Sequence, residues 1–144
     1  MALFVVERDT TRSPADAWAR LTDWPRHGRY VPLTSIEVTT APPTGVGTVF
    51  VARTGTRRFG FDDPMEIVAW APPVDGGPGR CRIEKRGTVM LGWAELTVTP
   101  TASGTNAQWR EDITVARVPR VADRVTAASS TLLFGRVLRR LLED

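Results

Sequence analysis

One acidic side chain falls among apolar residues of a predicted strand. Near the end of the chain Glu111 shares a face with Trp109 and Ile113, because alternate residues of a strand point to the same side. An inward carboxyl group has a raised pKa and can act as a general acid or base, or pair with the polar end of a ligand. The other interpretation is that Glu111 lies near a strand end or pairs with an arginine such as Arg82 or Arg53.

The only histidine and the only tyrosine, His27 and Tyr30, are three residues apart in a short segment between prolines, Trp24 to Pro32. A histidine there could shuttle protons near neutral pH, with the tyrosine as a hydrogen-bond donor. Both side chains are also typical of a surface or the rim of a site. The pair is therefore a candidate catalytic partner for Glu111.

Other reactive side chains predict no further chemistry. Asp62 and Asp63 precede Pro64 and are explained by a turn, and no second ligand set follows them, so no metal is expected. Cys81 has no paired motif and is expected to be a small core residue. The sequence contains no nucleophile elbow, zinc signature or phosphate loop, and we expect no cofactor.

The composition is that of an ordinary globular protein. The 144 residues fit one domain, residues 1–144. The net charge is +3, and Lys85 is the only lysine among 19 basic residues. These residues are scattered, so nucleic acid is not an expected partner. No apolar run reaches about 20 residues, so no stable membrane insertion is expected. With one cysteine and no export signal, a cytoplasmic monomer or homodimer is expected.

Periodicity predicts an α+β fold with about six to seven strands. Ser13 is a predicted N-cap and Pro14 opens a helix that stops before Pro25. The longest helix is predicted over Val121–Glu143, and its wide apolar arc must pack against the sheet. Strands are predicted over Leu3–Arg8, Ile36–Thr40, Thr48–Thr54, Phe59–Trp70 (one or two strands, interrupted near Asp62), Arg80–Arg86, Met90–Thr99 and Asn106–Ala116.

Several motifs occur in an order that resembles the START-like, Bet v 1-type superfamily (SRPBCC), which includes polyketide cyclase/dehydrase and lipid-transport proteins, and in particular its small bacterial members. They are Ser13–Trp18, Asp23–Pro25, Pro64–Pro72, Gly92–Pro100, Gly104–Thr105 with Trp109, and the amphipathic closing helix. The resemblance implies a helix-grip fold, in which a curved antiparallel sheet wraps around the long C-terminal helix and two short helices follow the first strand. It also implies that His27 and Tyr30 lie near the mouth of a cavity.

Three functions remain open at this stage. The first is binding of a small hydrophobic or amphipathic molecule, lipid- or polyketide-like, between the sheet and the closing helix. The second is a cofactor-independent cyclase or dehydratase that uses Glu111, and the third is an interaction or stress-response protein with a filled core. For the first, the predicted contacts are Phe50, Phe61, Met65, Ile83, Leu96, Trp109, Ile113, Val125, Leu132 and Phe134.

The small residues of the closing helix predict where a cavity would lie. We expect it beneath Val121–Thr131, with the bulky stretch Leu133–Leu142 sealing one end. Gly135 is less favourable in a helix than alanine by about 1 kcal/mol, so we expect a bend or a close approach to the sheet there.

Overall fold

The computed structural model describes residues 2–56, 58–116 and 122–143. The strands are β1 (Ala2–Thr10), β2 (Thr34–Val38), β3 (Val49–Gly55), β4 (Gly60–Ala71), β5 (Gly79–Lys85), β6 (Met90–Thr101) and β7 (Gly104–Val115). The helices are α1 (Pro14–Leu21), α2 (Trp24–His27) and α3 (Asp123–Glu143). The expected α+β architecture is confirmed, with a curved seven-stranded antiparallel sheet and a long C-terminal helix.

The strand order across the sheet is β1-β7-β6-β5-β4-β3-β2, and every neighbouring pair is antiparallel. From β2 to β7 the sheet is a meander of sequential strands, and β1 completes it beside β7. The curved sheet has one concave face, and β4, β5 and β7 all contribute side chains to it. Side chains that alternate inward on these strands therefore converge.

The interruption expected near Asp62 does not occur, because β4 is one continuous strand. Asp62 and Asp63 pair with Arg53 and Ala52 of β3, and the Pro64 carbonyl accepts a hydrogen bond from the Arg86 N–H. Proline removes a donor but keeps its acceptor, and the strand continues through it. The turn interpretation of the two aspartates was therefore wrong.

The N-terminal helices cover one end of the sheet. The Ser13 side chain accepts a hydrogen bond from the Asp16 N–H at 3.2 Å, as an N-cap does. In α1 the buried side chains include Ala17, Trp18 and Leu21. Arg12 donates to the carbonyl oxygen of Leu142 at 2.6 Å, which satisfies one of the last carbonyls of α3.

Helix α3 places its C-terminal half in the core and its N-terminal half over a cavity. Val137, Leu138, Leu141 and Leu142 are buried among side chains from the sheet and α1. Near the middle of the helix, Phe134 stacks on Phe4 of β1 with ring centroids 5.3 Å apart. Val121 lies outside the described residues.

The helix at Gly135 is not crowded by the sheet. A Cβ built there would lie 3.9 Å from Val6 Cγ1, an ordinary van der Waals distance, and Gly135 is not among the residues with positive φ. Helix and sheet do approach each other at this point, but there is room for a methyl group.

Candidate functional site

A cavity of about 330 Å³ lies between the sheet and the N-terminal half of α3. Most of the surrounding side chains are apolar, including Phe50, Leu96 and Ile113. Helix α3 contributes Thr126, Ser130, Leu133 and Phe134 to the wall. The volume equals that of about eleven water molecules and lies at the low end of the range for small-molecule pockets.

Three charged side chains meet on the sheet side of this cavity. The Lys85 Nζ atom lies 2.7 Å from Asp63 Oδ2 and 3.5 Å from Glu111 Oε1. The side chains of Lys85 and Glu111 are each 4% exposed, and that of Asp63 is 7% exposed. Asp63, Lys85 and Glu111 are called the charged triad below. A buried charge is tolerated only when it is paired, and the lysine pairs with both carboxyl groups.

Strand alternation explains how the charged triad is assembled. In β5 Cys81 and Ile83 point inward, so Lys85, two residues further on, points inward as well. In β4 Asp63 shares its face with Met65, a second residue of the cavity wall. Glu111 likewise points inward from β7. Each charge therefore comes from a different strand.

The pKa values of Glu111 and Lys85 are both raised, which favours a neutral carboxyl group and a charged ammonium group. Burial raises the pKa of Glu111 above its ordinary value, although the positive charge of Lys85 opposes this. Burial alone would lower the pKa of Lys85, but the attraction of Glu111 and Asp63 outweighs it and raises that pKa. The lysine is therefore held protonated, and burial favours protonation of Glu111.

Glu111 has one more fixed partner. The indole N–H of Trp109 donates to Glu111 Oε2 at 3.1 Å. The partners suggested from the sequence were wrong: Arg82 pairs with Glu95 at 2.6 Å, and Arg53 pairs with Asp62 at 2.9 Å. The carboxyl group is instead anchored by the only lysine of the chain.

His27 is buried in the cavity wall beside the rings of Trp24 and Trp109, at centroid distances of 5.4 and 5.3 Å. Its Nε2 atom lies 2.6 Å from the Leu21 carbonyl oxygen, which can only accept, so the histidine donates. Burial lowers the pKa of His27 to about 4. At neutral pH the ring is therefore uncharged, and the proton shuttle expected from the sequence is not supported.

The predicted contacts divide into two groups. Two of them, Val125 and Leu132, are 68% and 65% exposed and lie on the outer side of α3, so their prediction was wrong. Tyr30 does not line this cavity either and borders surface grooves with Arg29 and Arg136. The candidates that do line the cavity are Phe50, Phe61, Met65, Ile83, Leu96, Trp109, Ile113 and Phe134, together with Glu111 and His27.

Sequence reasoning missed Asp63 and Lys85. The signal for Lys85 was its position two residues after Ile83 on the inward face of β5. Asp63 was hidden by the turn assigned to the residues before Pro64. Among the described residues, no three or more His, Cys, Asp or Glu side chains are grouped so that they could hold a metal ion.

Solved structures share the architecture that builds this cavity. The crystal structure of Ara h 8.0201 superposes with a TM-score of 0.62 and 14% sequence identity over 99% of this chain and 98% of that one. The Bet v 1-like helix-grip fold is the fold of this chain. No protein-family model and no curated protein matches the sequence significantly.

Other proteins share this Bet v 1-like fold at similarly low identity. TTHA0849 from Thermus thermophilus has a TM-score of 0.73 and 13% identity, with 98% of this chain and 94% of that chain covered. The di-domain ARO/CYC protein StfQ from the steffimycin biosynthetic pathway has a TM-score of 0.65 and 14% identity. The match covers 99% of this chain and 50% of StfQ.

Within the described residues no helix is both long enough and apolar enough to cross a membrane.

Proposed function

We propose that the protein binds a small, mainly apolar molecule with one polar end in the cavity beneath α3. The observation that supports this most directly is the combination of a cavity of about 330 Å³ with a largely apolar wall and one charged triad. Ligand sites have this character, since apolar surface supplies affinity and a few polar groups fix orientation. A filled core, the third possibility from the sequence, would leave no such space.

The cavity wall offers a residue for a direct test. Ala94 of β6 is buried and lines the cavity, so Ala94→Phe should fill part of it. Ala102, in the exposed turn between β6 and β7, provides the matched control Ala102→Phe. Uptake of the neutral fluorophore N-phenyl-1-naphthylamine can be followed by its emission for the wild type and both variants.

Wild type and Ala102→Phe are expected to bind the fluorophore saturably, and Ala94→Phe at least about tenfold more weakly, because the phenyl ring occupies the site. Circular dichroism checks that each variant is folded, because overpacking a core costs about 1–3 kcal/mol. Equal binding by all three proteins, or no binding by the wild type, would refute the proposal.

Acid–base catalysis is a second candidate, in the manner of a cofactor-independent cyclase or dehydratase. It is favoured by Glu111, a carboxyl group with a raised pKa on the cavity wall, 3.5 Å from an ammonium group. Glu111→Gln would then abolish turnover of a polyketide-like substrate while fluorophore binding is retained. Unchanged turnover in this variant would remove Glu111 as the acid or base.

A further inference from the structure

In the described part of the chain, one buried oxygen atom of the charged triad has no hydrogen-bond partner. Asp63 Oδ2 accepts from Lys85, but Asp63 Oδ1 is shielded from bulk solvent and receives no hydrogen bond from the described residues. Leaving a charged acceptor unsatisfied in a buried place costs more than leaving a neutral one. This oxygen is covered on the cavity side as well, but the aspartate lines the cavity, so a turn of its carboxylate would bring the oxygen to a donor of a molecule bound there.

The ammonium group of Lys85 already has partners within its own chain. Its Nζ atom is 2.7 Å from Asp63 Oδ2, 3.5 Å from Glu111 Oε1 and 3.7 Å from Met65 Sδ. An ammonium group has three donors, and three partners are already in place. An incoming carboxylate would therefore have to displace one of them to reach a hydrogen-bond donor of Lys85.

The charge balance also disfavours an anion. Two carboxyl groups face one ammonium group, and His27, the fourth titratable side chain on the described cavity wall, is neutral at pH 7. The local charge is thus negative when Glu111 is ionised and balanced when it is protonated. A carboxylate at this end of a ligand would add negative charge beside Asp63, and the described cavity wall offers no cation other than Lys85.

We propose that the cavity selects a small apolar molecule whose polar end is a hydrogen-bond donor, a hydroxyl or an amino group, which it directs to Asp63. This inference rests on the proposed binding function and adds the chemical class and the orientation of the ligand. The apolar body lies against Phe50, Leu96 and Ile113. Rotation about the last bond of an aspartate side chain is soft, so the carboxylate can turn its unpartnered oxygen toward the donor.

Four probes that differ only at one end of a naphthalene test this selection. They are 2-naphthalenemethanol, 2-naphthalenemethylamine, 2-naphthoic acid and 2-ethylnaphthalene, each competing with bound N-phenyl-1-naphthylamine at pH 7. The alcohol, the amine or both are expected to bind at least about tenfold more tightly than the acid, the difference expected for hydrogen bonds to a charged acceptor. Comparison of the alcohol with the amine shows whether a neutral or a charged donor is preferred.

Asp63→Leu removes the acceptor and leaves Lys85 paired with Glu111, and Asp62→Leu changes the exposed neighbour that faces the other way. Asp63→Leu should weaken the preferred donor probe about tenfold and change 2-ethylnaphthalene by less than about twofold, while Asp62→Leu changes neither. If Asp63→Leu does not fold, the order of affinities in the wild type still tests the inference.

Two results would overturn this selection while binding itself stands. They are an acid that binds as tightly as the alcohol and the amine, and a donor preference that Asp63→Leu leaves unchanged. Failure of all four probes and of the fluorophore to bind the wild type would instead overturn the proposed function, and the selection with it.

Discussion

Acidification should destabilise this protein through one residue, His27. The ring is buried between two tryptophans and donates to the Leu21 carbonyl, and burial lowers its pKa to about 4. In the unfolded chain the pKa returns to its ordinary value of 6.5. Between these two values the unfolded chain binds a proton that the folded protein does not. Stability is therefore complete above the unfolded pKa and falls as the pH decreases toward the folded one.

The size of the effect follows from the two pKa values. Proton linkage gives a loss of about 2.5 kcal/mol in unfolding free energy between pH 7.5 and pH 4.5 from this side chain alone. With a urea m-value of about 2 kcal/mol per M, the midpoint of unfolding should decrease by roughly 1 M. Glu111 acts in the opposite direction, since its pKa is raised and its protonation favours the folded state.

The variant His27→Gln separates the histidine from every other titrating group. Glutamine keeps an N–H donor for the Leu21 carbonyl and has no proton to gain, and no other histidine exists in the chain. Urea titrations of both proteins at pH 7.5 and 4.5, followed by circular dichroism, give the loss for each. The wild type should lose about 2.5 kcal/mol more than the variant. Equal losses would show that His27 is not held neutral by burial.

Two other substitutions are expected to change the stability of the protein in opposite directions. Gly135→Ala should stabilise the protein by up to about 1 kcal/mol, since the methyl group meets only Val6 at van der Waals distance; a lower thermal midpoint would refute this. Lys85→Met should cost about 3 kcal/mol at pH 7, because two buried carboxyl groups lose their counterion, and less at pH 5, because the raised pKa of Glu111 favours its neutral form as the pH falls. An equal cost in chemical denaturation at both pH values would argue against the charged triad.

The sequence predicted the fold well because strand patterns and turns are local signals. In β7 the alternation of Trp109, Glu111 and Ile113 identified the inward face, and all three line the cavity. The N-cap Ser13 and the proline after it fixed the start of α1. Each of these features depends only on residues near in sequence, so the sequence was sufficient to predict it.

The helix face over the cavity could not be assigned from hydrophobicity. The inward row begins with Thr126 and Ser130, polar residues beneath which the cavity lies, whereas Val125 and Leu132 are apolar and exposed. A helix turns by about 100° per residue, so choosing the apolar neighbours rotated the predicted face. A partly polar cavity reverses the usual rule that the apolar side faces inward.

The meeting of the three charged side chains could not be predicted for a different reason. Asp63, Lys85 and Glu111 come from three strands, and their meeting depends on the registers of β4, β5 and β7. Register is a property of the assembled sheet. Only Glu111 was identified in advance, and the ion pair considered for it was with an arginine.

Native mass spectrometry of the protein purified from its own host tests the binding function most directly. A complex heavier than the 15.8 kDa chain by the mass of a small molecule is expected, and it should be lost in Ala94→Phe and kept in Ala102→Phe. The released molecule should carry a hydroxyl or amino group at one end. A bare chain that also fails to take up N-phenyl-1-naphthylamine would contradict ligand binding in the cavity.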